Sequence, residues 1–117
     1  MEEASVFGDK RLNPTEELVE QALSWMGSNT GALAQAIANR QHLEQWIKSV
    51  EAEQKAKWKA EPAHVQEREA RASEQYRSAL GAFQTASSEE QRLRYTWTFA
   101  ETVIDVFRTK CANERRV

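Results

Sequence analysis

The chain has little of what builds tight turns, crosslinks or membrane spans. Two prolines and four glycines punctuate 117 residues, too few for a sandwich or barrel that reverses about every ten residues. A single cysteine, Cys111, cannot close an internal disulfide and fits a reducing compartment. No apolar run approaches the ~18 residues that cross a bilayer, and the acidic N-terminus lacks the basic-then-apolar pattern of a secretion signal. The expectation is a cytoplasmic protein with no membrane partner. Net charge is only −2, whereas a non-specific nucleic-acid binder carries a strong basic excess. Composition therefore lends that class no support beyond a local patch.

The residues of common catalytic sites are also missing in pattern. There is no Gly-rich phosphate loop, no Gly-x-Ser-x-Gly, and no pair of carboxylates beyond what acids scattered on helices supply. His42 and His64 stand alone, with no His, Cys or carboxylate at metal-ligand spacing. Cys111 has no histidine near it in sequence and reads as a small apolar filler. No catalytic residue, metal ligand, cofactor or small-molecule substrate is assigned, and the expectation is a protein that is not an enzyme.

What the chain does have is helical periodicity. From Tyr76, alternate steps of three and four reach Ala79, Phe83, Ala86, Glu90, Leu93, Trp97, Ala100, Ile104, Phe107 and Cys111, all but Glu90 apolar or small. Such a seam faces a partner helix. Leu80, Val103 and Val106 widen it. A second seam runs through Leu33, Ala36, Ile37, Arg40, Leu43, Trp46, Ile47 and Val50, and weakens through Gln54, Lys57 and Trp58. These patterns predict hairpin helices over 29–60 and 73–115, joined by a polar connection over 61–72 with room for a short helix.

Boundaries come from local chemistry. Residues 1–12 have no sustained period and read as a frayed start. Asn13-Pro14-Thr15-Glu16 reads as a helix entrance with Asn13 as cap and Pro14 first in the helix. It opens a short helix over 14–26 that Gly27 ends. Ser28, Asn29 and Thr30 offer caps for the next helix, Pro62 stops it, and Ser73 caps the last. The fold class is thus all-α: one domain, an elongated antiparallel, coiled-coil-like hairpin whose open end the short N-terminal helix covers. With the reversal centred near residue 66, Leu43 faces Glu90, Val50 faces Phe83 and Ile37 faces Trp97. Ser87-x-x-Glu90 is itself a capping-box pattern, which allows a kink or interruption in the last helix. Arg40 and Glu90, both on seams and within about a turn of each other, read as a register-fixing ion pair or a partly wet position.

Trp46 and Trp97 fall on or beside the seams and read as core. Trp58 lies among Lys55, Lys57 and Lys59 near the turn and is expected to be at least half exposed; with Arg68 and Arg71 in the connection, these six are the candidate contacts for a partner protein or single-stranded DNA. Glu53, Glu61, Glu67 and Glu69 are interleaved, so any nucleic-acid affinity would be weak. Arg108, Lys110, Arg115 and Arg116 suit either a phosphate patch or the negative end of a helix dipole.

From about Arg40 to Arg116 the chain resembles a family of small helical proteins of tailed bacteriophages and prophages. The resemblance rests on Gln66-Glu67-Arg68-Glu69-Ala70, on Ala72-Ser73-Glu74-Gln75-Tyr76, on Leu93-Arg94-Tyr95, and above all on Ile104-Asp105-Val106-Phe107-Arg108-Thr109 with Ala112-Asn113-Glu114-Arg115. Phe107 and Tyr95 stand where the family more often has tryptophan. The resemblance implies an early phage protein acting in the bacterial host's cytoplasm, encoded near genes for single-strand annealing proteins and exonucleases. Two functions follow as expectations. One is an accessory of phage recombination that self-associates and touches the annealing machinery or, weakly, single-stranded DNA. The other is a non-enzymatic inhibitor of a host defence complex. A homo-oligomer is expected because Leu80, Phe99, Val103 and Val106 add apolar area beside the main seam.

Overall fold

The structure, a computed structural model, describes residues 14–116. It is all-α: α1 (Glu16–Ala56), α2 (Ala63–Ala72) and α3 (Glu74–Arg115), with no strand among the described residues. The two long helices pack against each other as a hairpin. Arg40 pairs with Glu90 and Glu51 with Arg71, so partner number falls as position on α1 rises and the arms are antiparallel.

The first correction to the sequence reading is that α1 is one helix. The segments expected over 14–26 and 29–60 are joined, and Gly27 does not end the first. The reason lies in the seam, which continues through Leu18, Ala22, Trp25, Asn29, Leu33 and Ala36, all buried or half-buried. The polar trio expected to cap a new helix is absorbed by the old one. Asn29 Nδ2 donates to the Trp25 carbonyl at 2.8 Å and Thr30 Oγ1 to that of Met26 at 2.7 Å, the back-bonding open to such residues inside a helix.

The start of α1 also moves. Thr15 is the capping residue: its Oγ1 accepts the Leu18 amide at 3.3 Å, which places Pro14 just outside the helix, where its side chain is buried. Asn13 and the expected fraying of 1–12 lie outside the described residues. Glu16 and Glu17 occupy the first turn, where carboxylates favour the dipole.

At its far end α1 stops at Ala56, not residue 60. Lys57 and Trp58 donate their amides three residues back, to Gln54 and Lys55, at 3.2 and 2.9 Å, and Glu61 donates to Trp58 at 2.9 Å. This tightening unwinds the α geometry before Pro62 is reached. The expected connection holds α2, and Ser73 joins it to α3. The Ser73 hydroxyl donates to the Ala70 carbonyl at 2.6 Å and accepts the Tyr76 amide at 3.2 Å, so one side chain closes one helix and opens the next. No break occurs at Ser87: α3 is continuous, and its stripe passes through Ala86, Glu90 and Leu93 without a change of phase.

Two compact units divide the hairpin. In the unit of Met1–Ala34 with Gln91–Val117, Leu18 and Ala22 pack with Ala100 and Val103, flanked by Val19, Met26, Phe99 and Ile104. Ala22 and Ala100 are fully buried; with only a methyl each, they let the helices approach. Trp25 and Trp97 meet edge to face, with ring centroids 6.3 Å apart, a favoured aromatic geometry. Thr96 is buried as well, and its hydroxyl is satisfied by the Arg92 carbonyl at 3.1 Å.

In the Gln35–Glu90 unit the buried set is leaner: Ala36 and Val50 from α1, Ala70 from α2, Ala79 and Ala86 from α3, with Gln54 and Glu90 among them. Its long side chains, such as Leu43, Ile47 and Phe83, are only half-buried.

The register differs from the one expected. Trp97 stands against Trp25, three turns earlier on α1 than Ile37. Both this pair and Glu51–Arg71 are centred on Glu61, whereas the expected register was centred near residue 66. The cause is that the chain reverses in the Lys57–Glu61 turn, and α2 already belongs to the returning arm. Arg40 and Glu90 still meet because helical side chains lean toward their own N-terminus. On antiparallel arms, the two therefore reach toward each other.

Candidate interaction surface at the turn

The turn gathers the six residues singled out from the sequence, all in the Gln35–Glu90 unit, but acids claim much of their charge. Glu51, on the last turns of α1, receives Lys55 at 3.3 Å and Arg71 at 3.2 Å; Arg71 also reaches Glu67 at 2.9 Å. Burial pushes the Glu51 carboxyl up, but hydrogen bonds from Arg71 and then Lys55 outweigh it and hold its pKa below the ordinary value. The Arg71 guanidinium is raised, first by its hydrogen bond to Glu51 and then by the charge of Glu67. Arg68 pairs with its neighbour Glu69 at 3.3 Å.

Lys57 donates to the Gln54 side chain at 3.2 Å, and Lys59 is exposed in the turn. Trp58 is 41% exposed, somewhat less than expected. The turn itself is stitched by the Gln66 side chain, whose Nε2 donates to the Glu61 carbonyl at 2.8 Å. What the fold brings together here is thus a half-covered indole within a mixed, largely paired set of charges. Lysines and arginines that neutralise phosphates release the condensed counterions of the nucleic acid. Here Lys55, Arg68 and Arg71 would first have to leave their acids, and of these cations at the turn only Lys57 and Lys59 are outside an ion pair among the described residues.

Sequence reasoning missed the neighbouring surface. Trp46, expected in the core, is 47% exposed and more open than Trp58. It lines a shallow groove of about 460 Å³ together with the apolar Leu43, Val50, Ala79 and Ala82. A signal was present: Ser78, Ala79 and Ala82 are too small to cover an indole on the opposing helix, so the seam position beside Ile47 stays open.

Among the described residues no three His, Cys, Asp or Glu side chains are grouped to hold a metal ion, and no helix is long and apolar enough to cross a membrane. No protein-family model matches the chain, and comparison with curated proteins and with solved structures gives no match.

Proposed function

We propose that this protein acts without catalysis, by binding another protein through the sides of its helical hairpin. The observation that carries the reading is a contrast on one unit: Lys55, Arg68 and Arg71 are already held by Glu51, Glu69 and Glu67, while the large apolar side chain of Trp46 is left open. Paired cations offer little to a phosphate backbone. An exposed tryptophan is the side chain most often found at the energetic centre of a protein interface.

In the phage setting that the resemblance implies, the partner is a component of the annealing machinery, and the protein is an accessory of recombination. Inhibition of a host defence complex is the second reading, and it draws on the same open apolar surface. Self-association belongs to the proposal too, with Val106, 37% exposed on the last turns of α3, among its contacts.

Titration of the full chain with a fluorescein-labelled single-stranded oligonucleotide at low salt tests the choice of partner class. The expected result is no binding at micromolar concentration. Binding that falls steeply with salt and is lost in Trp58→Ala would return the turn to a nucleic-acid role. Affinity purification of the tagged chain from infected cells then separates a phage partner from a host one.

A further inference from the structure

The groove beside Trp46 has an acidic rim. Glu53 from α1 and Glu74 from α3 line it together with the apolar residues. Neither is in an ion pair among the described residues, unlike Glu44, Glu51, Glu67, Glu69 and Glu90 in the same unit. Glu74 is at home in the first turn of α3. Glu53 is not: it lies in the last turn of α1, ending at Ala56, where the helix dipole is negative and a carboxylate is disfavoured. An unpaired acid set against a helix dipole, at the edge of an open apolar trough, is relieved by a cation from outside.

The walls define the shape of the visitor. From Leu43 to Val50 and from Ser78 to Ala82 the walls are helix interior whose backbone groups are spent on their own ladders, so an extended peptide finds main-chain partners only at the end turns that hold Glu53, Glu74 and Gln75. A helix asks only for side-chain contact, and the groove runs along α1 from Leu43 to Glu53, about three turns. Nucleic acid is opposed by the two rim carboxylates. We infer that this groove receives an amphipathic basic helix of a partner protein, with Trp46 packing against its apolar stripe and Glu53 and Glu74 pairing with its lysines or arginines.

This inference rests on the protein-binding reading above, and the experiment separates the two. The probe is a library of amphipathic helical peptides with leucine fixed at i, i+3, i+4 and i+7 and the remaining positions randomised, selected against the full chain. Enrichment of lysine and arginine is expected. For a selected peptide, Trp46→Ala should weaken binding roughly tenfold or more, as loss of a central aromatic does. Glu53→Gln with Glu74→Gln should weaken it less and flatten its salt dependence. Trp46 and both acids lie on open surface, so these variants retain the fold, which circular dichroism checks; Trp46→Gln serves as a second probe of the same position.

Selection of acidic peptides, of none that bind, or of peptides indifferent to Trp46→Ala and Trp46→Gln overturns the groove assignment while leaving protein binding elsewhere intact. A doubled mass in light scattering that Trp46→Ala returns to 13.4 kDa makes a second copy the occupant and overturns the basic-helix assignment. Oligonucleotide binding quenched at Trp46 overturns both readings.

Discussion

Arg40 Nε donates to Glu90 Oε1 across 2.8 Å, joining the two arms of the hairpin inside an apolar seam. Glu90 is 7% exposed, and the Arg40 guanidinium, raised above its ordinary pKa first by this hydrogen bond, also touches Glu44 at 3.3 Å. The Arg40 side chain is half-buried, and removing one partner of such a pair costs more than removing both, because the charge that stays in the seam loses part of its compensation. Arg40→Met is therefore expected to lower the melting temperature, and the double variant Arg40→Met with Glu90→Leu to recover most of the loss. Thermal melts of the three proteins check the order; a double variant melting below both singles would contradict it.

Gly27 is expected to accept alanine with a gain. It lies within α1, and a Cβ added there meets nothing within 4 Å. Mid-helix Gly→Ala is worth about 0.5 to 1 kcal/mol, read from the urea midpoint. Were Gly27 a helix terminator, the same change would destabilise.

Burial separates two leucines five residues apart on α1. Leu18 is 5% exposed in the packed cluster with Ala100 and Val103, and Leu23 is 55% exposed. Leu18→Ala should cost about 2 to 5 kcal/mol, and Leu23→Ala should stay within roughly 0.5 kcal/mol of the parent. Equal losses in denaturant titration would mean that α1 is rotated about its axis.

Acid should loosen the turn. The Glu51 pKa is lowered in the folded chain from its ordinary 4.5, so the folded state binds a proton less readily than the unfolded one. The stabilisation is fully present above pH ~4.5 and is lost as pH falls through the lower folded value. Glu51→Gln should remove that part of the acid dependence and leave the neutral-pH fold in place. Melting curves between pH 3 and 7 on both proteins provide the check.

The seams were legible because a heptad-like stripe is set by many residues at once. On α3 every position from Tyr76 through Cys111 reached by steps of three and four is buried or half-buried, and of the two readings open for Arg40 and Glu90, an ion pair or a partly wet position, the structure has the ion pair. Signals resting on one or two residues fared worse. Gly27 and Ser28-Asn29-Thr30 spell a stop and a start, yet the continuing stripe outweighed a local preference of about 1 kcal/mol. The register slipped because nothing in 61–72 says that α2 already belongs to the returning arm. Trp46 was misplaced for a related reason: a seam position is covered only if the facing residues are large, and Ala79 and Ala82 are not.

A reversal centred on Glu61 also orders the assembly of the hairpin in time. Glu51 and Arg71 are 20 residues apart in the chain, Arg40 and Glu90 are 50 apart, and Leu18 and Val103 are further still. Closing a loop of 50 residues costs about 0.8 kcal/mol more than closing one of 20, and each contact made near the turn shortens the loop left for the next. On loop entropy alone the expectation is that nucleation begins at the Lys57–Glu61 turn and its Glu51–Arg71 pair and that the tryptophan pair forms late. Substitutions at Glu51 should therefore slow folding, whereas those at Trp25 or Trp97 should chiefly speed unfolding.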